Sequence, residues 1–224
     1  MEEISYKKTA LTETILPYVP EELLEQVSNF REISLLYNSA IREVTTKLEI
    51  LNDELSLNDR EMPIQFIKSR VKKPTSIVNK LHRLGKEISV DSIMNSLNDV
   101  AGIRVICSFI DDVYKIADML LSQDDIVLIR EKDYIKNPKP NGYRSYHLII
   151  EVPVFFSDKK QWVRVEIQFR TVAMDFWASL EHQLKYKKDL EDSKEIEEEL
   201  RECAETIANT DLQMMNIRNK IESM

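Results

Sequence analysis

The segment WVRVEIQFR, residues 162–170, alternates without a fault: Val163, Val165, Ile167 and Phe169 are apolar, while Arg164, Glu166, Gln168 and Arg170 are polar or charged. A period of two sends successive side chains to opposite faces of a strand. One face must therefore meet a core, and the other carries a row of charges. A chain holding this segment has to build a sheet with one buried face.

Other segments supply the rest of that sheet. YRSYHLIIEV (143–152) places Tyr143, Ser145 and His147 on one side, with Arg144, Tyr146 and Leu148 on the other; IRVICSF (103–109) and DIVLIRE (125–131) also read as strands. Helical segments are expected near 74–84, 111–121 and 172–186. Two longer stripes bracket them. Val27, Phe30, Tyr37, Ile41, Val44, Leu48 and Leu51 recur every three or four residues, as do Ile196, Leu200, Cys203, Ile207, Met214, Ile217 and Ile221. The expected class is α+β, a mixed β-sheet flanked by helices. It forms one domain over 1–224, with a core at about 60–188, an N-terminal helical segment at 20–56 and a C-terminal helix at 192–222. The terminal stripes are also candidates for a subunit interface.

Charge and composition exclude several functions. With 31 Lys and Arg against 39 Asp and Glu, the net charge is −8, which disfavours a general DNA binder. Residues 62–86 nonetheless hold seven basic side chains and no acidic one, while 189–205 hold nine acidic residues against Lys194 and Arg201. The acidic run reads as a solvated face, and the basic run reads as an anion site, with a solvated face as the alternative. MEEISYKKTALTETILPYVP lacks the pattern of a secretory leader, and no run approaches the ~18–20 apolar residues of a membrane span, so a cytoplasmic protein is expected. Cys107 and Cys203 lie far apart and are expected to be buried as small apolar residues.

The chemistry gathers around NDVAGIRV (98–105). Mg²⁺ is held by one or two carboxylates completed by phosphate oxygens and waters, and Asp99 with Glu166 could supply that pair. There are three glycines in the chain and neither a GxxxxGK[ST] nor a GxGxxG pattern. A polyphosphate would thus have to be gripped by Arg and Lys side chains, which the basic segment offers.

FIKSRVKKPTSIVNK, NDVAGIRVICSF, NGYRSYHLII, VEIQFRT and AMDFWASLEHQLKYK together resemble the synthetase domain of RelA/SpoT-type alarmone synthetases, particularly the stand-alone small ones, over about 63–188. Any one of these motifs would be weak, but five in order are specific. The resemblance implies a polymerase β-like nucleotidyltransferase fold and a GTP pyrophosphokinase. Such an enzyme transfers the β,γ-pyrophosphate of ATP to the 3′-hydroxyl of GTP or GDP, giving AMP and the alarmones pppGpp or ppGpp of the stringent response.

The same resemblance assigns roles. Asp99 matches the Mg²⁺ ligand and Glu166 the base that takes the 3′-hydroxyl proton, touching the metal as well. Arg70 and Arg104 match the pair holding ATP, and Lys72, Ser76 and Lys80 match phosphate contacts. Tyr143 matches the residue that stacks on guanine, and His147 a residue beside the acceptor. Gln168 shares the polar face with Glu166. Lys132 and Lys139 lie where acceptor phosphates could be met, although a solvated loop explains them equally. Asp175 stands where some small synthetases carry Asn, and a carboxylate there could accept from guanine N1–H and the 2-amino group. Trp177 reads as helix core and His182 as a polar contact. The resemblance further implies a homotetramer, with an RNA or small-molecule regulator as an option.

Two other readings stay open. An alarmone hydrolase of the long family members uses an HD motif, but His82, His147 and His182 precede Arg83, Leu148 and Gln183. A non-catalytic nucleotide or RNA sensor would have little need of both Asp99 and Glu166.

Overall fold

A computed structural model describes residues 21–59, 62–187 and 194–224. Five strands form one mixed sheet: β1 (Ile64–Val71), β2 (Ala101–Cys107), β3 (Val127–Asp133), β4 (Tyr146–Phe155) and β5 (Lys160–Thr171). Their order is β1-β2-β5-β4-β3, with β2 and β5 parallel and every other pair antiparallel. The alternation in β5 is realised residue by residue. Val163, Val165, Ile167 and Phe169 are buried beside Ile103 and Val105 of β2 and Leu148, Ile150 and Val152 of β4.

Helix α1 (Glu21–Asp59) covers this apolar face, touching β1, β2, β4 and β5. Its stripe buries Tyr37, Ile41, Val44, Leu48 and Leu51, whereas Phe30 near its start is exposed and the side chain of Val27 lies outside the described residues. Burying each such Leu, Ile or Val stabilises the fold by roughly 1.5–3 kcal/mol. The helix is tied directly to the sheet, because the side-chain Oδ1 of the buried Asn52 accepts the backbone N–H of Ile64 at 2.9 Å. That bond fixes where β1 begins.

Two elements go beyond the sequence reading. β1 (IQFIKSRV) occupies a sheet edge, so of its residues only Ile64 is fully buried and alternation is blurred; its Lys68 and Arg70 are residues that an edge tolerates. The short α3 (Val90–Ser96) is capped by Ser89, whose hydroxyl accepts the Ser92 N–H at 3.1 Å. The other helices fall where the periodicity places them: α2 (Pro74–Arg83), with Pro74 at its first position, α4 (Ile110–Leu121), α5 (Val172–Lys187) and α6 (Lys194–Glu222).

Cys107 is buried as expected, but Cys203 is exposed, which corrects the reading of both as buried. The packed side of α6 runs through Leu200, Ala204, Ile207 and Asp211, and Cys203 sits about 100° around the helix from Ala204. Ile196, Met214, Ile217 and Ile221 are exposed as well. Among the described residues, no helix is long and apolar enough to cross a membrane.

Candidate active site

The polar faces of the strands meet as two rows across the sheet. Register sets Lys68 opposite Arg104, Arg104 opposite Gln168, Gln168 opposite His147, and His147 opposite Lys132. One step along, Arg70 pairs with Gly102 and Gly102 with Glu166. A charged face built on strands holds its groups more rigidly than loops would. A cavity of about 390 Å³ opens over it, lined by Arg70, Asp99, Arg104, Glu166 and Gln168 among others. Glu166 lies within β5, facing the small Gly102.

Asp99 precedes β2 and is held from both sides. Its two carboxylate oxygens each lie 2.7 Å from an ammonium, Oδ2 from Lys72 and Oδ1 from Lys80. Burial alone would raise its pKa, but the two lysines outweigh burial and keep the carboxyl below the ordinary aspartate value. Lys72 follows β1 and donates its backbone N–H to the carbonyl of Val100 at 2.8 Å, while Lys80 projects from α2. Arg164 braces the same turn through the Asn95 carbonyl and Asn98 Oδ1. Ser76 is exposed in the first turn of α2.

Among the described residues no cluster of three or more His, Cys, Asp or Glu could hold a metal. The donor set is a pair of carboxylates, Asp99 and Glu166, on one open cavity. Such a pair suits Mg²⁺, which leaves most of its positions to phosphates and water, and does not suit zinc.

On the other side, Tyr143, His147 and Arg170 form one hydrogen-bonded cluster. Arg170 donates to the Tyr143 hydroxyl at 2.8 Å, and that hydroxyl lies 2.8 Å from His147 Nε2. Since the guanidinium can only donate, the phenol keeps its own proton available to donate to Nε2, an arrangement that would leave the imidazole proton on Nδ1. Nδ1 faces Glu166 Oε1 at 3.9 Å. Burial, then the charges of Arg170, Lys139 and Lys132, push the His147 pKa down to about 3, so the ring is neutral at pH 7. Lys139 Nζ sits over the rings of Tyr134 and Tyr143, 4.8 and 4.7 Å from their centroids. A base stacking on that face of Tyr143 would displace the ammonium.

Asp175, on α5, is buried, and its Oδ1 accepts from Arg170 at 2.9 Å and pairs with Arg104 at 3.1 Å. A guanine edge reaching this residue would meet Oδ2. Trp177 is core, as expected, with its indole N–H on the Leu200 carbonyl at 2.9 Å, and His182 is exposed.

Helix α6 braces the loop that carries Tyr143. Arg144 donates to the carbonyls of Gly142 and Ala204. Gly142 has φ +87°, and a Cβ there would lie 2.5 Å from the Ala204 Cβ. Only glycine fits both requirements. Gly142→Ala is expected to lower stability by about 1–3 kcal/mol and to raise the acceptor KM, as read by thermal melting and initial rates; unchanged values for both would contradict the brace.

Arg170, Tyr134 and Gly142 are parts of the site that did not stand out in the sequence. Arg170 was in view, since it shares the polar face of Glu166, but alternation does not mark it as a buried hub.

Residues 69–191 match the family model described as "Region found in RelA / SpoT proteins". The chain is similar to the GTP pyrophosphokinase YwaC of Bacillus subtilis (strain 168), 42% identical over 202 residues that cover 90% of this chain and 96% of that one. It is also similar to the GTP pyrophosphokinase YjbM of the same organism, at 35% identity over 83% of this chain and 87% of that one. The crystal structure of small alarmone synthetase 1 from B. subtilis bound to its product pppGpp superposes with a TM-score of 0.77, at 33% identity, covering 86% of this chain and 97% of that chain.

Proposed function

The chain belongs to the RelA/SpoT family, among its small alarmone synthetases, and from that premise we propose that the polar sheet face is the centre of its GTP pyrophosphokinase activity. The reaction passes the β,γ-pyrophosphate of ATP to the 3′-hydroxyl of GTP or GDP. The 3′-oxygen forms a bond to Pβ as the bond from Pβ to the α,β-bridging oxygen breaks, AMP leaves with that oxygen, and the hydroxyl proton goes to Glu166. One observation carries this assignment: a single cavity is lined by the lysine-flanked carboxylate Asp99, by Glu166 and by Gln168, and Gln168 is joined through Arg170 to the Tyr143–His147 pair beyond it.

Arg70 and Arg104, which line the cavity from β1 and β2, hold ATP through their flat guanidiniums. Lys72, Lys80 and Ser76 meet its phosphates and offset charge that develops during transfer. Asp99 and Glu166 would hold Mg²⁺, which would neutralise the pyrophosphate and orient it for in-line attack. Lys132 and Lys139 take acceptor phosphates, and Asp175 meets the guanine edge through Oδ2. Glu166 is held for its task by the Gln168 amide, which donates to Oε2 at 3.1 Å.

With ATP present, AMP release should rise on adding GTP or GDP and match the guanosine product mole for mole. Asp99→Asn should lower turnover by about 100-fold or more, and Mg²⁺ should no longer tighten binding of a non-hydrolysable ATP analogue. An Asn variant that keeps the wild-type Mg²⁺ dependence of analogue binding would remove Asp99 from the metal site.

A further inference from the structure

Arg170 is a charged side chain that is only 4% exposed, at the end of β5, where solvation cannot explain it. Its fork serves three acceptors on three elements. One terminal nitrogen donates to Asp175 Oδ1 at 2.9 Å; the other donates to the Tyr143 hydroxyl at 2.8 Å and to Gln168 Oε1 at 3.2 Å. Its guanidinium carbon also lies 5.2 Å from the centroid of the Tyr143 ring. Asp175 supplies the opposite charge, without which burying a guanidinium would be strongly destabilising.

From this geometry we propose that Arg170 is a positioning residue that sets acceptor binding and base catalysis together, holding the Tyr143 ring for the acceptor base and aiming the Gln168 amide at Glu166. The proposal rests on the pyrophosphokinase reading of the site. Gln168 has two orientations. With Oε1 engaged by Arg170, its NH₂ must face Glu166, and it donates to Oε2 at 3.1 Å. In the flipped orientation an amide oxygen would face the carboxylate and an NH₂ would face the guanidinium, so both contacts would repel. Arg170 thereby decides which oxygen of Glu166 is occupied and leaves Oε1 turned toward His147 Nδ1. On the acceptor side, its bond to the Tyr143 hydroxyl and its place beside the ring hold Tyr143 and leave the phenol proton available to His147. Asp175 joins the same guanidinium to Arg104 on the cavity wall.

Lysine cannot reproduce this arrangement, because a single ammonium has no planar fork to span three acceptors. In the full chain, Arg170→Lys should raise the acceptor KM by about tenfold and lower kcat by about tenfold or more, as misplacements near 1 Å do. Affinity for a non-hydrolysable ATP analogue should stay within about threefold. Tyr143→Phe, which keeps the ring and removes the hydroxyl, should reproduce the rise in KM. Gln168→Leu should reproduce the fall in kcat. Combining either with Arg170→Lys should cost less than the product of the single losses, since each pair acts as one unit. These two partner variants carry the test if the arginine substitution does not fold.

A folded Arg170→Lys protein that melts earlier yet keeps acceptor KM and kcat within about twofold would reduce Arg170 to a core ion pair and overturn the proposal. So would simple multiplicative losses in both double variants. Failure of the underlying reading would look different, because Glu166→Gln would then retain turnover while the Arg170 couplings were still measurable.

Discussion

Replacing Glu166 by Gln is expected to lower kcat by about 10²–10⁴, the contribution of a positioned general base, while ATP and acceptor affinities change little. A ribose hydroxyl is a poor nucleophile until its proton has somewhere to go, and Glu166 is the carboxylate on the open face of β5 that lines the cavity. Gln keeps the size and can still accept the Gln168 N–H bond now made to Oε2, so the local geometry survives. What is lost is the ability to take a proton, together with the negative charge that Glu166 would offer Mg²⁺. Single-turnover rates with pre-bound ATP separate this chemical step from product release. A Gln variant with near wild-type single-turnover rates would place the base elsewhere.

Tyr143→Ala should act mainly on the acceptor. Base stacking on an aromatic ring is worth roughly 1–3 kcal/mol, so the KM for GTP or GDP should rise by about fivefold to about 150-fold. ATP should be nearly unaffected, because its contacts, Arg70, Lys72 and Lys80, belong to β1, the residue that follows it and α2. The effect on kcat should be smaller but present, since removing the phenol also removes the partner of His147 Nε2 and an acceptor of Arg170. Initial rates over a matrix of ATP and acceptor concentrations divide the two effects. Equal weakening of ATP and acceptor would mean that Tyr143 supports the fold rather than the acceptor.

Strand alternation makes the polar face of the sheet legible in the sequence alone. The period of two in WVRVEIQFR identified both the core row and the row carrying Glu166, Gln168 and Arg170, because β5 is central and one of its faces is wholly apolar. The same rule failed on β1, because an edge strand with one neighbour buries too little to impress a pattern on its sequence. The helical stripe of 194–222 was correct in kind but wrong in detail. Ala204 and Asp211 are the buried residues of α6, and neither stands out on a hydrophobicity pattern; Cys203, expected inside from the burial preference of free cysteine, is exposed.

Roles that depend on who bonds to whom were less visible still. Asp175 was singled out for its type, yet the structure spends its Oδ1 on Arg104 and Arg170, a pairing across three elements that no linear spacing encodes. Gly142 illustrates the opposite case. It lies within the NGYRSYHLII motif, and the structure adds the reason for glycine, a positive φ against the flank of α6. The lysine pair on Asp99 joins 72, 80 and 99, and was foreseen only as three separate members of a phosphate and metal site.

The most direct test of the central claim is to follow γ-labelled ATP with Mg²⁺ and GTP or GDP and to separate the products. The account predicts label in a guanosine penta- or tetraphosphate, carried on the 3′ position, with one AMP formed for each. Label released as inorganic phosphate alongside ADP, or left in ATP that the protein demonstrably binds, would contradict it.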